Sequence, residues 1–176
     1  IKIDKKQKII IDYGGPNIGK PLHVGHLRSL NIGRSLYSIN KAAGNQIVSD
    51  IHLGDWGMPI AQILTFCEEN DIQIDKLTIN KLVEIYPKAS SLYQNKKDFE
   101  EKAKKINLDL NNSDKETLKK WAMIKKLSID SIKTTLDKLN HEFDFWLGES
   151  DVNHLIPEML KNLEDANKIS KDNGAF

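Results

Sequence analysis

"KIIIDYGGPNIGKPLHVGHLRS", Lys8 to Ser29, decides the fold. Its opening run "KIIIDY" is short, β-branched and stopped by Gly14-Gly15-Pro16, the pattern of a strand buried on both faces of a parallel sheet. From His23 onward, Leu27, Leu30, Ile39 and Ala43 form an irregular helical stripe that closes at Gly44, a residue suited to the position just past a helix end. "QIVSDIHL", Gln46 to Leu53, is again strand-like and runs into "GDWG". Strand, glycine-containing loop, helix and strand in that order predict a right-handed βαβ crossover, with the helix on one face of a parallel sheet.

Outward from this unit the composition changes. Ala61 to Glu69 continues as helix, and residues 71–140 are rich in Lys, Asn, Asp and Glu with sparse apolar positions, a helical insertion between sheet segments. Within it Phe99, Ala103 and Ile106 have helical spacing. Ser113 lies three residues before Glu116, predicting a capping box ahead of a long amphipathic helix with Trp121, Ile124, Ser128, Ile132, Thr135 and Leu139 inward. "FDFWL", Phe143 to Leu147, returns to strand character and "GES" follows it. His154 to Asn167 reads as a last helix, with Leu155, Ile156, Met159, Leu160 and Leu163 inward. The division is therefore residues 1–70, 71–140 and 141–176, within one domain or part of one.

Composition narrows the function classes. The 176 residues, 39% hydrophobic, suffice for one core. Lys and Arg (26) nearly balance Asp and Glu (25), so bulk charge does not announce a nucleic-acid binder. The lysine runs "KKDFEEKAKK" and "LKKWAMIKK" carry mixed acids and read as solvated helix faces. A single cysteine, Cys67, excludes an internal disulfide and a multi-thiolate zinc site. With no signal peptide and no apolar run of spanning length, a cytoplasmic protein without membrane contact is expected. The chain starts at Ile1 and ends in "NGAF" where another strand could start, so a piece of a longer protein is expected.

The chemistry concentrates at the strand-to-helix junction. The first N–H groups of a helix lack intrahelical acceptors and carry partial positive charge, so phosphate docks there. Gly25 leaves no side chain between His23 and His26, and the two imidazoles at i, i+3 can donate to phosphate oxygens as negative charge shifts during displacement at phosphorus. A metal site is the competing reading, but the third and fourth ligands it needs are not evident.

"DYGGPNIGKPLHVGHLRS" together with "HLGDWG" and "GES" resembles the first half of the catalytic domain of arginyl-tRNA synthetases, a family of class I aminoacyl-tRNA synthetases. "HVGH" is similar to the HIGH element of the whole class; "PNIGKPLHVGHLRS" with "GDWG" is specific to the arginine enzymes. The resemblance is strong over Ile9 to Leu64 and again around Phe143 to Ser150. It implies a Rossmann-like α/β fold of the HUP type, here incomplete, without the family's KMSK-type loop, anticodon-binding domain or tRNA-elbow domain.

The resemblance also implies site roles. His23, His26, Gly25 and Lys20 would meet ATP, His23, His26 and Lys20 as catalytic groups on its phosphates. Asn17 would hold the amino-acid head group, and Glu149 the substrate guanidinium. Asp12, with Glu149 a second carboxylate toward arginine, stands where family members often have glutamate and has the shorter side chain. A turn-forming Asn17, a solvated Lys20 and an exposed loop acid at Glu149 are the bland alternatives. Asp55 is expected to brace its loop and Trp56 to pack. Pro59 and Ala61 replace the glutamine and glycine usual after "GDWG". The implied reaction is ATP-dependent activation of L-arginine and transfer to tRNA(Arg), with Mg2+ entering on ATP, no tightly bound cofactor and no resident metal. A monomer is expected, and a fragment inactive on its own. A nucleotidyltransferase without tRNA, or a non-catalytic RNA-binding paralogue, would not need this combination of motifs.

Overall fold

The computed structural model describes residues 6–170; the "NGAF" end lies outside them. Strand β1 (Lys8–Asp12) pairs in parallel with β2 (Gln46–Asp50), Lys8 opposite Gln46 through Asp12 opposite Asp50. Helix α1 (Val24–Ala42) connects them, as the βαβ reading requires. The expectation that β1 is buried on both faces fails. Its residues alternate in exposure and Ile10 is 78% exposed, because α1 covers one face only and no described element covers the other. On the covered face α1 comes close enough that a Cβ on Gly33 would lie 2.1 Å from the Tyr13 ring. That approach is why the helix carries glycine there.

"FDFWL" forms no continuous strand. Parallel bridges join Phe145 to Asp50 and Gly148 to Leu53, with Ile51 N donating to Phe145 O (3.1 Å) and Leu53 N to Leu147 O (2.8 Å). The segment thus runs along β2 on the side away from β1. On β2's other side, past the end of the β1 pairing, Asn17 bridges Gly54.

The helical part contains α2 (Met58–Glu69), α3 (Ile79–Asn95), α4 (Lys97–Asn111) and α5 (Lys115–Lys138). Pro59 in the first turn of α2 loses no helix hydrogen bond there. Phe99, Ala103 and Ile106 of α4 are buried as their spacing predicts, joined by Leu110. Capping of α5 differs from expectation: Asp114, not Ser113, accepts from Thr117 N at 2.9 Å. Ser113 sits in the left-handed region (φ 61) and its N–H closes α4 onto Leu110 O, so it is committed to the turn. At the far end of α5 Leu136 is buried, whereas Leu139 is exposed.

Two apolar clusters result. One joins α2, α3, α4 and α5 through Ile60, Leu64, Leu82, Ile85, Leu110 and Ile124; the other lies beneath the sheet with Tyr13, Leu30, Ile51, Leu53, Ile132 and Leu136. Helix α5 contributes to both. After the short α6 (Glu149–Val152) comes α7 (Ile156–Asp165), which starts two residues later than expected and ends two earlier. Its predicted inward residues Leu155, Ile156 and Met159 are exposed, with Leu160 and Leu163 half-buried. Periodicity placed them on one face, but no described element packs over that face. Among the described residues no helix is long and apolar enough to cross a membrane.

Candidate functional site

The site lies at the carboxyl end of the sheet, where open α/β sheets bind ligands. After β1 the chain turns through Gly14 (φ 98) and Gly15 (φ 52), enters the Asn17–Gly54 bridge, and turns again at Gly19 (φ 85) before α1. His23 is the N-cap of α1: its Nδ1 accepts from Gly25 N (3.1 Å), while His26 Nδ1 accepts from His23 N (3.2 Å). Each histidine thus takes the acceptor role of one half of a capping box. An imidazole that accepts at Nδ1 carries its proton on Nε2, so His23 keeps a donor free for a ligand, whereas His26 Nδ1 also lies 3.3 Å from His23 O, to which the other tautomer donates. The ring centroids are 4.1 Å apart. Burial and the neighbouring His23 both lower the pKa of His26, which favours this neutral form. A Cβ on Gly25 would lie 2.9 Å from His23 Cε1, so the space beside Gly25 is taken by the His23 ring.

Lys20 places its ammonium 4.9 Å from the centre of the Tyr86 ring, a cation–π contact with α3. Gly19 N, in the same loop, donates to the buried Ser128 Oγ at 2.9 Å. Asn17 lies against Gly54 so closely that a Cβ on Gly54 would meet Asn17 Oδ1 at 2.0 Å. Asn17 and Glu149 flank the Leu53–Gly54 segment from opposite sides, Glu149 N donating to Leu53 O at 3.1 Å. Both side chains are exposed. Asp12, also exposed, accepts from His52 N at 3.4 Å, so it caps the end of β2 from the neighbouring strand.

Behind Glu149 the sequence reading missed a buried polar network. Asp55, fully buried, accepts from Ser150 N (2.9 Å) and Ser150 Oγ (2.6 Å), and pairs with Lys125 Nζ at 2.5 Å. Lys125 also donates to Ser150 Oγ at 3.0 Å. The expected bracing role of Asp55 is thereby given its partners. Lys125, read as part of a solvated run, is instead 18% exposed. Other lysines of those runs do pair with acids on exposed faces, as in Lys102–Glu69 and Lys104–Glu100. Trp56 donates to Asn111 Oδ1 (3.0 Å) and packs edge-on against Trp121, whose own indole N–H is held by Asp55 O at 2.7 Å. A cavity of about 800 Å³ between the end of α2 and α5, lined by Cys67, Asp71, Lys120 and Met123, includes none of the motif residues.

A strand, a glycine-bearing loop and a helix N-terminus capped by paired histidines meet at this end of the sheet, the arrangement of a class I synthetase catalytic domain. Over residues 1–176 the chain matches the family described as tRNA synthetases class I (R), catalytic domain, and it belongs to that family. It is 36% identical over 187 residues to an arginine–tRNA ligase of Francisella tularensis subsp. novicida, a match that takes in 97% of this chain and 32% of that one. An arginine–tRNA ligase of Agathobacter rectalis is 34% identical, over 99% of this chain and 32% of its own. The chain thus spans about a third of the length of these curated relatives. In fold it resembles the arginyl-tRNA synthetases of Plasmodium falciparum (TM-score 0.77, 21% identity, 94% of this chain and 28% of that one) and Thermus thermophilus (TM-score 0.67, 20% identity, 92% and 27%).

Proposed function

We propose that the full-length protein carrying this chain is an arginine–tRNA ligase, activating L-arginine with ATP and passing the arginyl group to the 3′ end of tRNA(Arg). The observation that carries the reading is the meeting of two features at one sheet end. A helix N-terminus bears two imidazoles, and Asn17 and Glu149 flank the adjacent Leu53–Gly54 segment. In this reading the Nε2–H groups of His23 and His26 hold the ATP phosphates as the arginine carboxylate attacks the α-phosphorus in line. Pyrophosphate leaves and arginyl-adenylate forms. Lys20 leaves Tyr86 to reach the phosphates, and Mg2+ enters with ATP, held mainly by phosphate and water.

No protein nucleophile is required; positioning and charge neutralisation carry the step. Glu149, with Asp12 a second carboxylate at the sheet end, takes the planar guanidinium in paired N–H···O bonds, and the Asn17 amide meets the amino-acid head group. Gly25 serves by letting the His23 ring lie against the helix start. Residues 71–140 act as a helical insertion between residues 1–70 and 141–176. The reading places the enzyme in the cytoplasm as a monomer, with no tightly bound cofactor.

The test is Glu149→Gln in the full-length enzyme, followed by arginine-dependent ATP–pyrophosphate exchange with tRNA present. The KM for arginine is expected to rise on the order of 100-fold, the scale of losing a charge-assisted bidentate contact, while the KM for ATP stays near wild type. Equal rises in both KM values would remove the guanidinium assignment.

A further inference from the structure

The two loops that would hold the two substrates are both fastened to one face of α5. Ser128 Oγ accepts the buried N–H of Gly19, next to Lys20, at 2.9 Å. Lys125, three residues and about 4.5 Å of helix rise earlier, pairs with Asp55 and donates to Ser150, next to Glu149. Residues at i and i+3 share a helix face, so a single turn of α5 reaches the loop before α1 and the loop after β2. Neither contact is a surface accident: Ser128 and Asp55 are fully buried, and Lys125 is largely so. The anchorage at the Glu149 end is threefold. Asp55 holds Ser150 through both its backbone N–H and its hydroxyl, and Lys125 also lies 3.6 Å from Asp151, which itself accepts from Gly148 N at 2.8 Å.

The rest of α5 explains why it can serve as a fixed reference. Ile124 is locked in the helical cluster and Ile132 and Leu136 in the cluster beneath the sheet, so the Lys125–Ser128 turn sits between two packed cores. A side chain held by such a support keeps its partners in register far better than a loop contact does.

We propose that α5 is a shared positioning element: Lys125, acting through Asp55 and Ser150, sets Glu149 for arginine, and Ser128, acting through Gly19, sets Lys20 for the ATP phosphates. Neither residue touches substrate. The proposal rests on the ligase reading given above. A general structural role would weaken both substrates together, whereas two separate anchors weaken one each.

The experiment compares Lys125→Met and Ser128→Ala in the full-length enzyme by arginine-dependent ATP–pyrophosphate exchange with tRNA present. Since misplacing a binding group by about 1 Å costs up to about 100-fold, Lys125→Met is expected to raise the KM for arginine at least about tenfold and that for ATP less than about threefold. Ser128→Ala is expected to do the reverse. Lys125→Arg, which restores the charge and hydrogen bonds, recovers most of the arginine KM. Should Lys125→Met not fold, Ser150→Ala removes only the hydroxyl that Lys125 and Asp55 share, and the same arginine-selective rise is expected. Parallel rises in both KM values, or no change in either, overturn the proposal. If Glu149→Gln is arginine-selective and Lys125→Met is not, the positioning claim alone falls. If Glu149→Gln is itself unselective, the ligase reading of the pocket has failed first.

Discussion

Gly148→Ala adds one methyl group where the structure has no room. A Cβ on Gly148 would lie 2.6 Å from Cγ, Oδ1 and Oδ2 of Asp55 alike. Gly148 itself has φ −144 and ψ 175, extended backbone that alanine adopts freely. Strain in the main chain therefore adds nothing, and reduced unfolded-state entropy alone would make alanine stabilising by about 0.4–1 kcal/mol. Contact decides the sign. Optimal separation between heavy atoms is about 3.5 Å, so the deficit is about 1 Å. The carboxylate cannot swing clear, because Ser150 N, Ser150 Oγ and Lys125 hold it in a fully buried position. Relief must come from residues 148–150 moving away from Asp55, which stretches those same bonds. Overpacking of this kind costs about 1–3 kcal/mol, and the rigid hold on the carboxylate puts this site in the upper half of that range, leaving a net destabilisation of about 1–2.5 kcal/mol after the entropic gain. Urea denaturation of the chain should show a lower midpoint with an unchanged slope, and a melting temperature lower by roughly 2–4 °C per kcal/mol. A midpoint at or above wild type would refute the account of why glycine stands there.

Three further outcomes are expected. His23→Ser keeps an oxygen that can cap α1 and removes only the outward Nε2–H, so chain stability should stay within about 0.5 kcal/mol of wild type while ATP affinity of the full-length enzyme falls; His23→Ala should lose about 1 kcal/mol of stability as well. His141 is buried, its Nδ1 has no hydrogen-bond partner among the described residues, and burial followed by the Arg34 charge lowers its pKa below the ordinary 6.5. The unfolded chain therefore takes up this proton first on acidification. Stability falls as pH drops below about 6.5 and levels once the folded pKa is passed; above that window the group has no effect. In His141→Leu a denaturation series across pH 5–8 should show a shallower slope than wild type, with the His26 contribution of the same sign remaining. A slope as steep as wild type would clear His141 of that role. Finally, the 176-residue chain alone, about a third of its relatives' length, should give no arginine-dependent ATP–pyrophosphate exchange above background; measurable exchange would contradict this.

Local signals in the sequence were good guides where the chain's own geometry decides the outcome. The β-branched "KIIID" run is β1, Gly44 (φ 87) does end α1, and the helical spacing of Phe99, Ala103 and Ile106 marks a buried face. They were poor guides where a neighbour decides it. Ser113 and Asp114 are both capping residues, and only the turn that closes α4 selects between them. The apolar face of α7 was legible, but what covers it is not a property of the helix. Lys125 is the sharpest case. Its partner lies 70 positions away in sequence, and within "LKKWAMIKK" nothing separates it from neighbours that face water. Asp55 in "GDWG" was expected to brace its loop, yet its partner could not be read from the sequence.

An N-cap is ordinarily filled by Ser, Thr, Asp or Asn, so a histidine there calls for a reason beyond helix stability. Serine would satisfy Gly25 N but end there, its hydroxyl spent on the backbone. Aspartate would cap well and interact favourably with the helix dipole, but would place a negative charge where the proposed function brings a triphosphate. Imidazole alone among the common side chains has an acceptor and a donor on opposite sides of one rigid ring. It can cap the helix with Nδ1 and still present Nε2–H outward. His26 Nδ1 lies within reach of both the His23 N–H and the His23 carbonyl, so the cap orients its ring in either tautomer. Glycine between them leaves that ring in place, since a Cβ there would lie 2.9 Å from His23 Cε1 and push the ring off its cap. The spacing H-x-G-H follows from one demand: the start of this helix must be capped and must donate, with the same two side chains.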